Sequence, residues 1–292
     1  MPLLLLFFAL LLALQQPETT NFTPENEFTN NCEGPSVGPD GSIYAVNIRQ
    51  DGTIAHVTPQ GRTSVFLTLP EGSVGNGIRF GDRNTFYVAD FKKHNVLKVD
   101  VRTKQVSVHA HDDTMNQPND LAITRRGHIY CSDPKWSDST GRIWLVRPDG
   151  RTERVADKLG STNGIEISPD ERTLYVNESF QRNVWAFDLK PDGSLANKRL
   201  LIHFDTGGMD GMRCDTRGNL YVTRYGLGQI DVVSPTGKLV RSVKTRGLKT
   251  SNIAFGGPDG KTAYVTLQDR KCLETFRTDT PGREWQMMRQ FR

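Results

Sequence analysis

The sequence predicts an all-β fold: a six-bladed β-propeller with four antiparallel strands per blade, its ring closed by N-terminal residues. Three observations predict it. After residue 16 the chain carries no long 3.6-residue apolar pattern, but short runs rich in Val, Ile, Tyr and Phe, punctuated by Pro-Asp-Gly at 39–41, 148–150, 191–193 and 258–260. That is the mark of many short antiparallel strands. Six of the seven tyrosines open nearly identical strands, at separations of 43, 43, 45, 46 and 43 residues. A short polar residue stands eleven or twelve positions before each of them. A repeat of about 40–50 residues indicates an array or a propeller.

The elements follow in chain order. Residues 3–14 are twelve consecutive apolar residues. At about 1.5 Å per residue they span roughly 18 Å, short of a bilayer core of about 30 Å. Residues 1–16 are therefore expected to be a signal peptide or hydrophobic leader, although only Met-Pro precedes the run and no Ala-x-Ala site follows it. This places the protein outside the cell or in the periplasm, with the cytoplasm as the alternative, and expects no stable membrane span in the mature chain. Residues 17–292 are expected to form one propeller domain.

Its six units begin with Glu33 (EGPSVG), Asn76 (NGIRFG), Asn119 (NDLAIT), Asn163 (NGIEIS), Asp210 (DGMRCD) and Asn252 (NIAFGG). Their second strands carry Tyr44, Tyr87, Tyr130, Tyr175, Tyr221 and Tyr264. The fourth unit shows four strands most clearly: NGIEIS, TLYVNES, NVWAFDL and KRLLIHF. The last unit lacks a clear fourth strand, and residues 17–32 can supply it, closing the ring. The tyrosines are expected to pack between blades.

The first strand of a blade is innermost, so the six polar residues should converge on the channel. All are oxygen donors and none is Cys or His, which suits a hard cation, Ca²⁺ or Mg²⁺. Glu33 and Asp210 would balance a divalent charge and would otherwise repel each other. Asx turns also place Asn at strand starts, an alternative that stays open for Asn76 and Asn252. A polar ring can equally hold water. The second strand returns to the same rim and brings Asn47, Asp90, Asp133, Glu178 and Arg224 there.

Other chemistries lack support. Net charge is +4 and dispersed, so no nucleic-acid partner is expected. Cys32, Cys131, Cys214 and Cys272 show no Cys-x-x-Cys pairing and read as small buried thiols. No Gly-x-Ser-x-Gly, His-Glu-x-x-His, Walker or Rossmann pattern occurs in its required setting, and His109 with His111 has no third ligand.

The strings CEGPSVGPDGSIYAVN, NQPNDLAITRRGHIYCSDPKW, TNGIEISPDERTLYVNES, MDGMRCDTRGNLYVTRYG and SNIAFGGPDGKTAYVT, in this order over residues 30–268, resemble the family of gluconolactonase, senescence marker protein 30 and luciferin-regenerating enzyme. The resemblance implies a calcium-dependent propeller that hydrolyses lactones. It implies metal ligation by Glu33, Asn163 and Asp210, with Asn119 touching metal or substrate. Some members carry Arg two residues before that Asn, where this chain has Gln117. Asp210 is expected to act as general base as well as ligand, and Asp120 is a second candidate base or a brace for Asn119. Substrate contacts are expected from Asn119, Asp120 and Arg224, with Tyr225, Lys135 and Trp136 also on the rim.

The reading is thus a metal-dependent hydrolase opening small lactones to hydroxy acids, with one divalent cation, calcium first and Mg²⁺, Mn²⁺ or Zn²⁺ as alternatives. A phosphotriester or fluorophosphate hydrolase on the same scaffold is one alternative, and a non-enzymatic ligand-binding propeller is another, since fold does not fix function.

Overall fold

Each repeat folds as a four-stranded antiparallel meander, and the computed structural model, which describes residues 17–291, contains six such sheets. The leader expectation for residues 1–16 lies outside the described residues. Blade one comprises Phe28–Val37, Ile43–Ile48, Thr53–Val57 and Thr63–Thr68; blade two, Gly75–Phe80, Thr85–Asp90, Asn95–Asp100 and Val106–His111. Blade three comprises Leu121–Ile123, Ile129–Lys135, Thr140–Val146 and Thr152–Leu159; blade four, Thr162–Ile167, Thr173–Glu178, Asn183–Leu189 and Leu195–His203. Blade five comprises Met212–Cys214, Leu220–Arg224, Gln229–Val233 and Leu239–Lys244. Blade six has Thr250–Gly256, Thr262–Leu267 and Cys272–Arg277, and its outer strand is Thr20–Asn21.

Burial falls from the channel outward. In blade four every residue of Thr162–Ile167 is buried, whereas the centre of Leu195–His203 is exposed. Inner strands are sandwiched between neighbouring blades, so even their polar residues are almost all buried. Outer strands face water on one side and read as mixed sequence.

The ring closes where the sequence lacked a strand. Thr20 pairs with Thr275 and Asn21 with Glu274. Phe22 N donates to Leu273 O (2.9 Å), and Thr19 Oγ1 to Glu274 Oε2 (2.5 Å). The closing strand is only two residues long, and Phe28–Val37 already begins blade one. Arg270 adds a clamp, bonding both Glu25 and Glu274.

The repeated tyrosines join blades. Tyr44 packs against Phe80 and Phe86 of blade two, at centroid distances of 5.4 Å each. Tyr130 Oη donates to Gly193 O of blade four (2.7 Å), and Tyr221 meets Phe255 of blade six edge-on. All four cysteines are buried and unpaired. No helix among the described residues is long and apolar enough to cross a membrane.

The C-terminal residues, whose sequence signals no role, cap the end of the channel opposite the polar ring. In the helix Arg283–Met288, Met287 and Met288 join the core that also holds Ile78, Phe80 and Leu121. Trp285 Nε1 donates to Gly257 O (3.0 Å), and Glu284 accepts from Ser36 Oγ (2.8 Å).

Candidate metal centre and substrate cavity

The polar residues that open the inner strands do converge, but they divide into two sets. Glu33, Asn119, Asn163 and Asp210 line one cavity of about 330 Å³ at the channel mouth. Within this set Glu33 Oε1, Asn119 Oδ1 and Asn163 Oδ1 are buried and receive no hydrogen bond. Glu33 and Asn163 both reach the carboxyl of Asp210. A buried unsatisfied polar atom costs about 1–3 kcal/mol, so three in the lining of one cavity call for a partner. Asn252 behaves otherwise. Its Oδ1 accepts from Ile253 N (2.9 Å), its Nδ2 contacts Asp120 Oδ2 (3.4 Å), and it does not line the cavity. Asn76 lines the cavity, but its amide donates to Asn119 O (3.1 Å).

Local backbone brings the set together. Gly34 has φ of +56°, and a Cβ there would stand 2.0 Å from Asn76 O. A Cβ on Gly211 would meet the Asn252 side chain at 2.0 Å. The glycine after Glu33 and the one after Asp210 thus let adjacent inner strands touch, which packs the ring tightly. Asn163 Nδ2 donates to Ser179 Oγ (3.0 Å), leaving its Oδ1 without a donor. Asn177 Nδ2 donates to Asp210 O (2.6 Å) and holds that backbone in place. Asn177 was not singled out in the sequence, where its only signal is an amide inside the strand LYVNES.

Burial raises both acids. Glu33 is pushed up to about 7, first by desolvation and then by the charge of Asp120, while the N–H of Gly34 opposes the shift. Asp210 lies well above the ordinary carboxylate range, first through burial and then through Glu33.

Below the mouth the channel is filled by ion pairs. Asp120, fully buried, forms an ion pair with Arg79 at 3.0 Å and accepts from Arg213 at 3.2 Å. Arg213 also faces Glu284 (3.8 Å), and Arg283 faces Glu166 (3.6 Å) and Glu171 (2.9 Å). Three buried guanidiniums stand against five axial carboxylates, Glu33, Asp120, Glu166, Asp210 and Glu284, while Glu171 at the far end is shared with Arg125. The pair without a guanidinium in contact is Glu33 with Asp210. No group of three His, Cys, Asp or Glu side chains able to hold a metal occurs among the described residues. The donor set is instead two carboxylates with amide oxygens, the chemistry a hard divalent cation accepts.

Two expected substrate contacts are placed elsewhere. Asp120 lies beneath the site, locked between two arginines, and does not line the cavity. Arg224 also turns away from the cavity: it bonds Asp231 and Thr206 O and lies 3.8 Å over the Phe204 ring. The reason is its position at the end of a second strand, where each blade needs a brace for its rim loop. Asp90 accepts from Val74 N (3.1 Å), Asp133 from Gln117 N (2.6 Å), and Glu178 from Gly160 N (2.7 Å). Arg224 does the same work with opposite polarity.

The residues just after these braces form the cavity wall: Phe91, Trp136, Phe180, Tyr225 and Gln268. Trp136 and Tyr225 were expected at the rim; Phe91 and Phe180 were missed. Their signal was their place directly after the repeated second strand, in ADF and NESF. Lys135 pairs with Asp138 (2.6 Å) and does not line the cavity.

This architecture is shared with known proteins. The gluconolactonase of Zymomonas mobilis is 29% identical over 286 residues, covering 86% of this chain and 79% of its own. The diisopropyl-fluorophosphatase of Loligo vulgaris is 25% identical, covering 90% and 94%. A solved regucalcin of Agrobacterium tumefaciens, described as a calcium-binding protein, superposes with a TM-score of 0.75 at 20% identity, over 90% of this chain and 97% of that one. Residues 32–269 match the SMP-30/Gluconolactonase/LRE-like region, and the chain belongs to that family.

Proposed function

We propose that the protein is a lactonase that opens small lactones to hydroxy acids around one divalent cation, calcium foremost, held by Glu33, Asn163 and Asp210 with Asn119 beside them. The observation that carries this is the set of three buried, donorless oxygens grouped with Asp210 at the floor of a cavity. The similarity to a gluconolactonase over most of both chains supports the reaction. Oxygen-only donors favour Ca²⁺ or Mg²⁺ over Zn²⁺.

When bound, the ion would supply positive charge against the lactone carbonyl oxygen as negative charge develops there. The residues of the chain do the rest. Asp210 takes a proton from water as the water oxygen bonds to the carbonyl carbon. The ring C–O bond then breaks, and Asp210 returns the proton to the departing alkoxide. The products are a hydroxyl and a carboxylic acid, which releases one proton at neutral pH. Asp120 stays beneath as a fixed charge, since two arginines hold it.

Glu33→Gln and Asp210→Asn are expected each to weaken calcium binding at least a hundredfold by calorimetry and to remove lactone hydrolysis. A variant that keeps full affinity and rate would move the centre elsewhere. A second reading, phosphotriester or fluorophosphate hydrolysis, draws support from the similarity to a fluorophosphatase over nearly the whole chain. Parallel assay of a lactone and a fluorophosphate with calcium separates the two.

A further inference from the structure

The wall of the cavity says more about the substrate than its floor does. Four blades present an aromatic side chain from the loop after the second strand: Phe91, Trp136, Phe180 and Tyr225. Trp136 and Phe180 meet edge-on at 5.6 Å, and Phe180 is 57% exposed, an uncovered apolar ring at the mouth. No Lys or Arg lines the cavity. Arg224 is turned into its own blade, and Lys92 on the Phe91 ring (5.3 Å), Lys249 on the Tyr225 ring (6.0 Å) and Lys135 lie outside the lining.

Two hydroxyls of the wall are already engaged by the protein. Tyr225 Oη donates to Gln268 Oε1 (3.0 Å), and Ser179 Oγ donates to Met209 O (2.6 Å) while accepting from Asn163. A hydroxyl-bearing face laid against Phe180 and Trp136 would give up water for few new hydrogen bonds, which penalises it there. An alkyl or aryl group would instead cover Phe180 and Trp136 and remove apolar surface from water.

We propose that this site selects an uncharged lactone carrying an apolar alkyl or aryl substituent, seated against Trp136 and Phe180, over polyhydroxylated or carboxylate-bearing lactones. The proposal rests on the lactonase reading and names its substrate class. The test compares δ-valerolactone, a δ-lactone bearing a phenyl group, and glucono-δ-lactone with the calcium-loaded full chain. The phenyl lactone is expected to show kcat/KM at least tenfold above glucono-δ-lactone. Trp136→Ala and Phe180→Ala should each reduce the ratio of phenyl-bearing to unsubstituted lactone about tenfold, mainly through KM. Preference for glucono-δ-lactone, or variants that leave that ratio unchanged, would overturn the proposal. Calorimetry with the corresponding δ-lactams reads the same preference without turnover: tighter binding of the phenyl lactam supports it and equal binding overturns it, even if no lactone is hydrolysed. A chain that binds the phenyl lactam yet opens no lactone would sink the lactonase reading alone.

Discussion

Glu33 and Asp210 illustrate how a few atoms can set the conditions for a site. Burial raises Glu33 from 4.5 to about 7, and Asp210 also lies above its ordinary range. A carboxyl raised on folding stabilises the ion-free fold while it is protonated. For Glu33 that contribution is complete below about pH 4.5 and is lost as pH rises through about 7. A cation competes with those protons. Calcium affinity is therefore expected to rise from pH 5.5 to 8, with proton release on binding. Calorimetry in buffers of different ionisation enthalpy measures both, and a flat profile would count against Glu33 as a ligand. At this scale the sequence exposed the carboxylates and amides themselves. It did not reveal which amides are already bonded: Asn252 and Asn163 both open inner strands, and only the fold shows that the first is satisfied by Ile253 N and the second has a free Oδ1.

At the scale of elements, the second strand of each blade does two jobs in consecutive positions. Its last polar residue braces the rim loop, and the next residues supply the cavity wall. Blade six lacks a polar residue at the bracing position, Leu267, and Asp269 serves two residues later by accepting from Leu248 N (2.7 Å) and Lys249 N (3.2 Å). Asp133 accepts from Asn116 N, Gln117 N and Trp144 Nε1. Asp133→Ala should cost about 2–4 kcal/mol in urea unfolding, because it strands buried donors. It should also weaken substrate binding, since the loop it holds leads directly to Asn119. The sequence points to Arg224 as a rim contact because the second strand of a blade returns to the channel mouth. Its burial at 3% exposure follows from the repeat, which reserves that position for a brace.

The whole molecule is a ring with buried ion pairs along its axis. Arg79, Arg213 and Glu166 each stand three residues after a residue of the polar ring, on the same inner strands. Arg213→Met would leave Asp120 and Glu284 short of a partner and should destabilise the fold by about 3–5 kcal/mol. The same substitution removes a positive charge that acts on Glu33, so calcium should raise Tm more in the variant than in the parent. Scanning calorimetry with and without calcium decides this. Closure is the other property of the whole. Removing residues 17–23 would expose the edge strand Cys272–Arg277 and should lower Tm and promote association, as unpaired strand edges do.

The sequence by itself determined the repeat, the blade number, the strand count and the missing strand at the end of the ring, because these depend on periodicity and on local β preference. It also determined that Glu33, Asn163 and Asp210 belong to equivalent positions. Only the tertiary structure decided which ring members share one cavity, that Asp120 and Arg224 are locked away from it, that the C-terminal helix seals the far end, and that aromatic rings form the wall. Those are matters of which atoms from distant blades meet and which hydrogen bonds are already made, and a one-dimensional pattern carries no record of either.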